Sequence, residues 1–171
     1  MTKLKILLIL TLLIIGISIT GYSVLSSDES HSYETKMTVY KSPTCGCCAK
    51  WVDHINDNQI GSKTIETDNM SAIKNKYDIH GRHRSCHTGV VSTNSGEYIF
   101  EGHIPSEHIK TFLQNPPEGS IGLSVPGMPL GSPGMEVGEH KSYYQVLLLK
   151  KDGSSEVYAH VNQLEKMPGI K

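Results

Sequence analysis

The stretch Met37-Thr38-Val39-Tyr40-Lys41-Ser42-Pro43-Thr44-Cys45-Gly46-Cys47-Cys48-Ala49-Lys50-Trp51 decides how the chain is read. Lys36 to Lys41 alternates in polarity and is rich in strand formers, which predicts a first β-strand. Ala49 to Asp57 places Trp51, Val52 and Ile55 on one face, which predicts a helix, with Gly61 as its stop. Three of the four cysteines fall in the four positions from Cys45 to Cys48, at the junction between these elements. A strand-to-helix turn offers backbone N–H groups and the positive end of a helix dipole, and both favour thiolate over thiol. Thiolate is the form that attacks disulfides and binds soft metals.

Working outward, Ser62 to Glu66 reads as a second strand. Asn69 to Tyr77 reads as a helix, with Met70, Ile73 and Tyr77 on its buried face and Asp68 as N-cap. A cationic segment, Asp78 to His87, carries the fourth cysteine, Cys86. Thr88 to Ser92 and Glu97 to Glu101 form a hairpin around Thr93-Asn94-Ser95-Gly96. Gly102-His103-Ile104-Pro105 then leads into a helix over Ser106 to Leu113, with Ile109, Phe112 and Leu113 inward. Asn115-Pro116-Pro117 stops that helix. The resulting order, β-α-β-α-β-β-α, is that of a thioredoxin-like α/β core. In that fold the segment before the third strand packs on the first strand–helix junction, so Cys86 is expected beside Cys45, Cys47 and Cys48. Asn115 to Gly138 is read as an irregular Pro/Gly/Met loop, too apolar for a solvated linker and long enough to be functional. Pro126-Gly127-Met128 recurs in it seven residues on as Pro133-Gly134-Met135. Tyr143 to Lys150 and Ser154 to Val161 complete the chain as a C-terminal β-hairpin.

A length of 171 residues fits one principal domain, and a net charge of -1 argues against a nucleic-acid surface. Lys3 and Lys5 precede an apolar run, Ile6 to Ile19, extendable from Leu4 to Leu25. Residues 1–25 therefore read as an export signal or a retained membrane anchor, either of which delivers the domain across a membrane. No cysteine follows the run, so a lipoprotein anchor is excluded. Residues 26–34 are a polar tether, and residues 35–171 form the domain. Outside the cytoplasm an even number of cysteines commonly means disulfides, so two structural bridges are one reading of the four sulfurs.

Two chemical readings stand beside that one. Cys45 and Cys48 form a C-x-x-C pair, the arrangement of thioredoxin-like thiol–disulfide oxidoreductases. A third thiol is superfluous for disulfide exchange, whereas three thiolates in one turn plus Cys86 suit a soft metal. Thiolates and thioethers select Cu(I), and each sulfur has lone pairs enough to bridge several copper ions. Zinc would accept four cysteines, but not at this spacing and with no use for methionine. Met128 and Met135 read either as ligands presented in matched contexts or as core filler. His87 adjoins Cys86 and reads as a ligand or as a donor that orients one. His103 reads as facing the site or as capping the following helix. His80 and His83 lie on an exposed basic segment suited at most to transient metal capture. Met37 and Met70 fit core positions, and Met167, near the end, is uninformative. No G-x-S-x-G, H-E-x-x-H or phosphate-loop pattern occurs, so whether the chain is an enzyme is left open.

Four motifs together carry a resemblance: Tyr40 to Trp51, Arg84-Ser85-Cys86-His87-Thr88, Gly102-His103-Ile104-Pro105, and Gly122 to Pro129 through Gly131 to Glu136. Over about Met37 to Val161 the chain resembles the exported CopG-type copper-resistance proteins, which are unrelated to the DNA-binding repressor of the same name. The resemblance implies a thioredoxin-like domain outside the cytoplasm and copper, several ions included, held by Cys45, Cys47, Cys48 and Cys86. It lends support to His87, Met128 and Met135 as further ligands. The implied role is copper resistance; on the sequence reading, the copper held is stored, passed to other exported copper-handling proteins or changed in oxidation state.

Overall fold

A computed structural model describes residues 35–162. The export segment, the polar tether and Met167 lie outside them. Strand β1 (Thr35–Lys41) leads into helix α1 (Gly46–Asp57), strand β2 (Ile60–Glu66) and helix α2 (Met70–Lys76). A 3₁₀ turn at Gly81–His83 precedes strands β3 (Thr88–Thr93) and β4 (Gly96–Glu101). Helix α3 (Ser106–Gln114) and strands β5 (Ser120–Ser124), β6 (Tyr144–Lys150) and β7 (Ser155–Val161) follow. The order expected up to α3 is thus observed, in a mixed α/β fold.

The strands form one seven-stranded sheet in the order β2-β1-β3-β4-β5-β6-β7. Two β-α-β crossovers build it: β1 pairs parallel with β2 across α1, and β4 pairs parallel with β5 across α3. The remaining pairings are antiparallel. Alternation along the strands sorts the residues between faces. Met37 and Val39 of β1 and Phe100 of β4 join Trp51 and Ile55 of α1 and Ile109 and Phe112 of α3 in the main core. The other face takes α2, where Tyr40 lies 6.5 Å from Tyr77.

Several boundaries differ from the sequence reading. α1 starts at Gly46, not Ala49, so Cys47 and Cys48 are helical. It stops at Asn58 and Gln59, the latter at φ 64°, and Gly61 belongs to β2. The α2 N-cap is Asn69 rather than Asp68, because the Asn69 side chain accepts the Ala72 N–H at 3.0 Å. Met70 is only half-buried, whereas Met37 is core. The largest difference lies in Asn115 to Gly138, which contains β5 and is therefore not wholly irregular. Gly122 makes that strand feasible: it sits at φ 145°, and a Cβ there would come within 1.8 Å of the Ile99 carbonyl oxygen on β4.

Candidate metal centre

Cys45 is the N-cap of α1, and Cys47 and Cys48 lie in its first turn. Cys86 arrives from the far side of the sequence on the extended segment between the 3₁₀ turn and β3. Two features fix that segment. The Ser85 N–H donates to Glu101 Oε1 at 2.6 Å, and Ser85 Oγ donates to the Gly127 carbonyl. Glu101 is itself buried and paired with buried Lys74 at 2.5 Å, while its other oxygen accepts from Thr88 Oγ1 at 2.6 Å. A buried charge pair is tolerated when its remaining hydrogen-bonding capacity is used, as it is here.

The four sulfurs converge: Cys45, Cys47, Cys48 and Cys86 each place Sγ within 4.8 Å of the others. Cys45 and Cys48 are joined as a disulfide, and Cys47 and Cys86 are free. The Cys47 sulfur lies 3.5 Å from that of Cys45. Burial pushes the Cys86 thiol up to about 11, and Cys47 adds to the rise while the Ser85 hydroxyl opposes it.

Imidazoles flank Cys86 on two sides. His87 Nδ1 lies 3.3 Å from its sulfur and His103 Nε2 lies 3.0 Å from it. Both rings are buried, 4.9 Å apart between centroids and edge to face. His103 Nδ1 is 2.7 Å from the Pro133 carbonyl oxygen. A carbonyl only accepts, so Nδ1 carries the proton and Nε2 turns a lone pair toward sulfur. Burial lowers the pKa of His103, and it lowers that of His87 far below the ordinary histidine value. His87 Nε2 has no hydrogen-bond partner, and the ring is held by packing against Trp51 at 4.3 Å. Trp51 is anchored in turn by its N–H to the Ile104 carbonyl at 2.8 Å.

The two Pro-Gly-Met units brace opposite sides of the centre. Gly127 donates its N–H to the Arg84 carbonyl at 3.2 Å, next to Cys86. Gly134, at φ 83°, lies so close to α1 that a Cβ would meet the Cys47 carbonyl oxygen at 2.6 Å. Met128 is 52% exposed and Met135 is half-buried, so neither is absorbed into the core. His80 is exposed, and His83 is buried against Ser155 Oγ at 2.9 Å, away from the sulfurs in its bonding. His54 Nε2 accepts the Ser106 N–H at the start of α3, at 3.1 Å, so the cap comes from His54 rather than His103. His103 is the residue whose part the sequence left open. The signal was its place in Gly102-His103-Ile104-Pro105, where Gly102, Ile104 and Pro105 are all buried and leave the imidazole no exit to water.

A family model described as a protein of unknown function, DUF411, matches residues 83–135, which include Cys86, His87, His103, Met128 and Met135. Two solved structures titled copper resistance protein CopG, forms 1 and 2, are each 34% identical to this chain. Form 1 aligns over 74% of this chain and 97% of that one, with a TM-score of 0.68. The chain belongs to the CopG family. Form 2 of CopG gives the same answer, with 73% and 96% coverage and a TM-score of 0.67. No curated protein matches the chain. Both CopG alignments are long enough to take in most of the described sheet. In this CopG-family chain no helix among the described residues is long and apolar enough to cross a membrane.

Proposed function

We propose that the chain is an extracytoplasmic copper-binding protein of copper resistance. It holds Cu(I), several ions when fully loaded, through Cys45, Cys47, Cys48 and Cys86. The observation that carries this reading is the convergence of all four sulfurs within 4.8 Å. Sulfur donors at that separation share ions by bridging, and an all-thiolate set selects Cu(I) over harder cations. His87, buried next to Cys86, serves as an additional donor, as do Met128 and Met135. Coordination by Cys45 and Cys48 belongs to the reduced protein, since a disulfide sulfur is a poor ligand. Interconversion of copper oxidation states and transfer to other exported copper-handling proteins fit the partial access to Cys47 and Met128. Export is supported by the apolar run from Leu4 to Leu25, as cleaved signal or as membrane tether. The thioredoxin-like reading of the core is supported by the β2-β1-β3-β4 order around parallel β1 and β2.

The closed Cys45–Cys48 pair favours one other reading, a thiol–disulfide oxidoreductase using those two residues. A single comparison separates them. The reduced chain is titrated with Cu(I) against a competing chelator, and Cys47→Ser is titrated beside it. A copper centre loses affinity or stoichiometry in the variant. An oxidoreductase keeps its insulin-reducing activity in Cys47→Ser and binds no copper tightly.

A further inference from the structure

The sulfur cluster is not the one complete donor set at this centre. Cys86, His87 and His103 each place a ligand atom within 4.8 Å of the others. The closest approaches, 3.0 Å and 3.3 Å from the Cys86 sulfur to the two ring nitrogens, suit donors that share one ion. Two further observations point to a ligand. His103 has its Nδ1 proton committed to the Pro133 carbonyl, which leaves Nε2 basic and aimed at Cys86. His87 is fully buried, with Nδ1 turned to the Cys86 sulfur and Nε2 on the other edge of the ring without a partner, so the protein satisfies the imidazole only on the side that faces the thiol. Two buried imidazole nitrogens turned to one thiol are the donors that a metal subsite requires.

We propose that Cys86, His87 and His103 form a second, mixed sulfur–nitrogen subsite for a borderline divalent cation, complete even when the Cys45–Cys48 disulfide is closed. The donor chemistry separates the two sets. One thiolate and two neutral imidazoles suit Zn(II), Co(II) or Cu(II), whereas four thiolates suit Cu(I). Closing the disulfide withdraws two of the four donors from the sulfur set and none from the mixed set. The state of the C-x-x-C pair therefore decides which class of ion finds a full complement of ligands, with Cys86 and His87 common to both. The inference rests on the copper reading only through the shared Cys86 and His87.

The test uses the full chain without reductant, the closed pair verified by thiol counting, and Co(II) as the probe. One Co(II) per chain is expected, with a thiolate-to-metal charge-transfer band that Zn(II) abolishes by competition. Cys86→Ser loses the band. His103→Ala binds at least about tenfold more weakly, as does His103→Gln, a second variant checked for native far-UV dichroism. Absence of Co(II) binding, binding without the band, or wild-type affinity in both His103 variants overturns the proposal. A parallel Cu(I) titration of the reduced chain addresses the sulfur cluster separately. Failure there with Co(II) binding intact removes the copper reading and leaves the mixed subsite standing.

Discussion

The Trp51 indole and the His87 imidazole lie 4.3 Å apart between centroids, tilted by 41°, next to Cys86 in the candidate metal centre. Trp51 is the single tryptophan of the chain, so its emission reports on this one place.

Copper loading is accordingly expected to quench tryptophan fluorescence in step with stoichiometry. Trp51→Phe should remove the signal while copper uptake, read by chelator competition, persists. Unchanged emission during uptake would mean that copper binds elsewhere.

The close approach of Gly134 to α1 makes a stability prediction. Gly127 and Gly134 both have positive φ, 70° and 83°, but only Gly134 has backbone atoms where a Cβ would go. Gly127→Ala should cost about 1 kcal/mol, the ordinary penalty for an L-residue in that region. Gly134→Ala adds an overpacking cost, for a total of about 3 kcal/mol. Urea midpoints at unchanged m-value measure the difference. Equal losses would place the second Pro-Gly-Met unit off the helix.

Breaking the buried pair under Cys86 should be expensive. Glu101→Gln keeps an acceptor for the Ser85 N–H but leaves Lys74 buried without its counter-charge. A loss of about 3–5 kcal/mol is expected. Adding Lys74→Met should recover part of it, because the stranded charge is gone. A double-mutant cycle on denaturation midpoints checks this, and strictly additive losses would refute the coupling.

Acid should destabilise the metal-free protein through its histidines. Burial lowers the pKa of His54, which must stay neutral to accept the Ser106 N–H, and burial also lowers that of His83. The unfolded chain then binds more protons than the folded one once the pH drops below about 6.5. Stability is full above that value and is lost as pH falls toward the folded pKa values. Melting temperatures between about pH 7.5 and pH 5 should show the decline. His54→Gln should flatten it in part, since His87 and His103 act with the same sign.

Local signals explain what the sequence made legible. β1, the β3–β4 hairpin, α3 and the β6–β7 hairpin each carry their own period and their own Gly, Pro or Asn punctuation. β5 does not. Ser120-Ile121-Gly122-Leu123-Ser124 is short, sits among prolines and glycines, and is a strand because β4 and β6 hold it on both sides. Its alternation of Leu123 and Val125 with Ser124 was the available clue. The meeting of Cys86 with Cys45, Cys47 and Cys48 followed from element order. The approach of His103 to Cys86 did not, since it depends on a carbonyl, that of Pro133, thirty residues downstream.

The two Pro-Gly-Met units lean on separate halves of the centre, one beside Arg84 and the other on the first turn of α1. The short run between them therefore works as a ruler. Its span sets how far apart the two cysteine-bearing segments are held, and Gly131 at φ 80° with buried Ser132, bonded to the Pro129 carbonyl, keeps that span and leaves exposed Leu130 free to vary. In relatives with the same four sulfurs, substitutions at Leu130 should be common, and insertions between Pro129 and Ser132 should be rare.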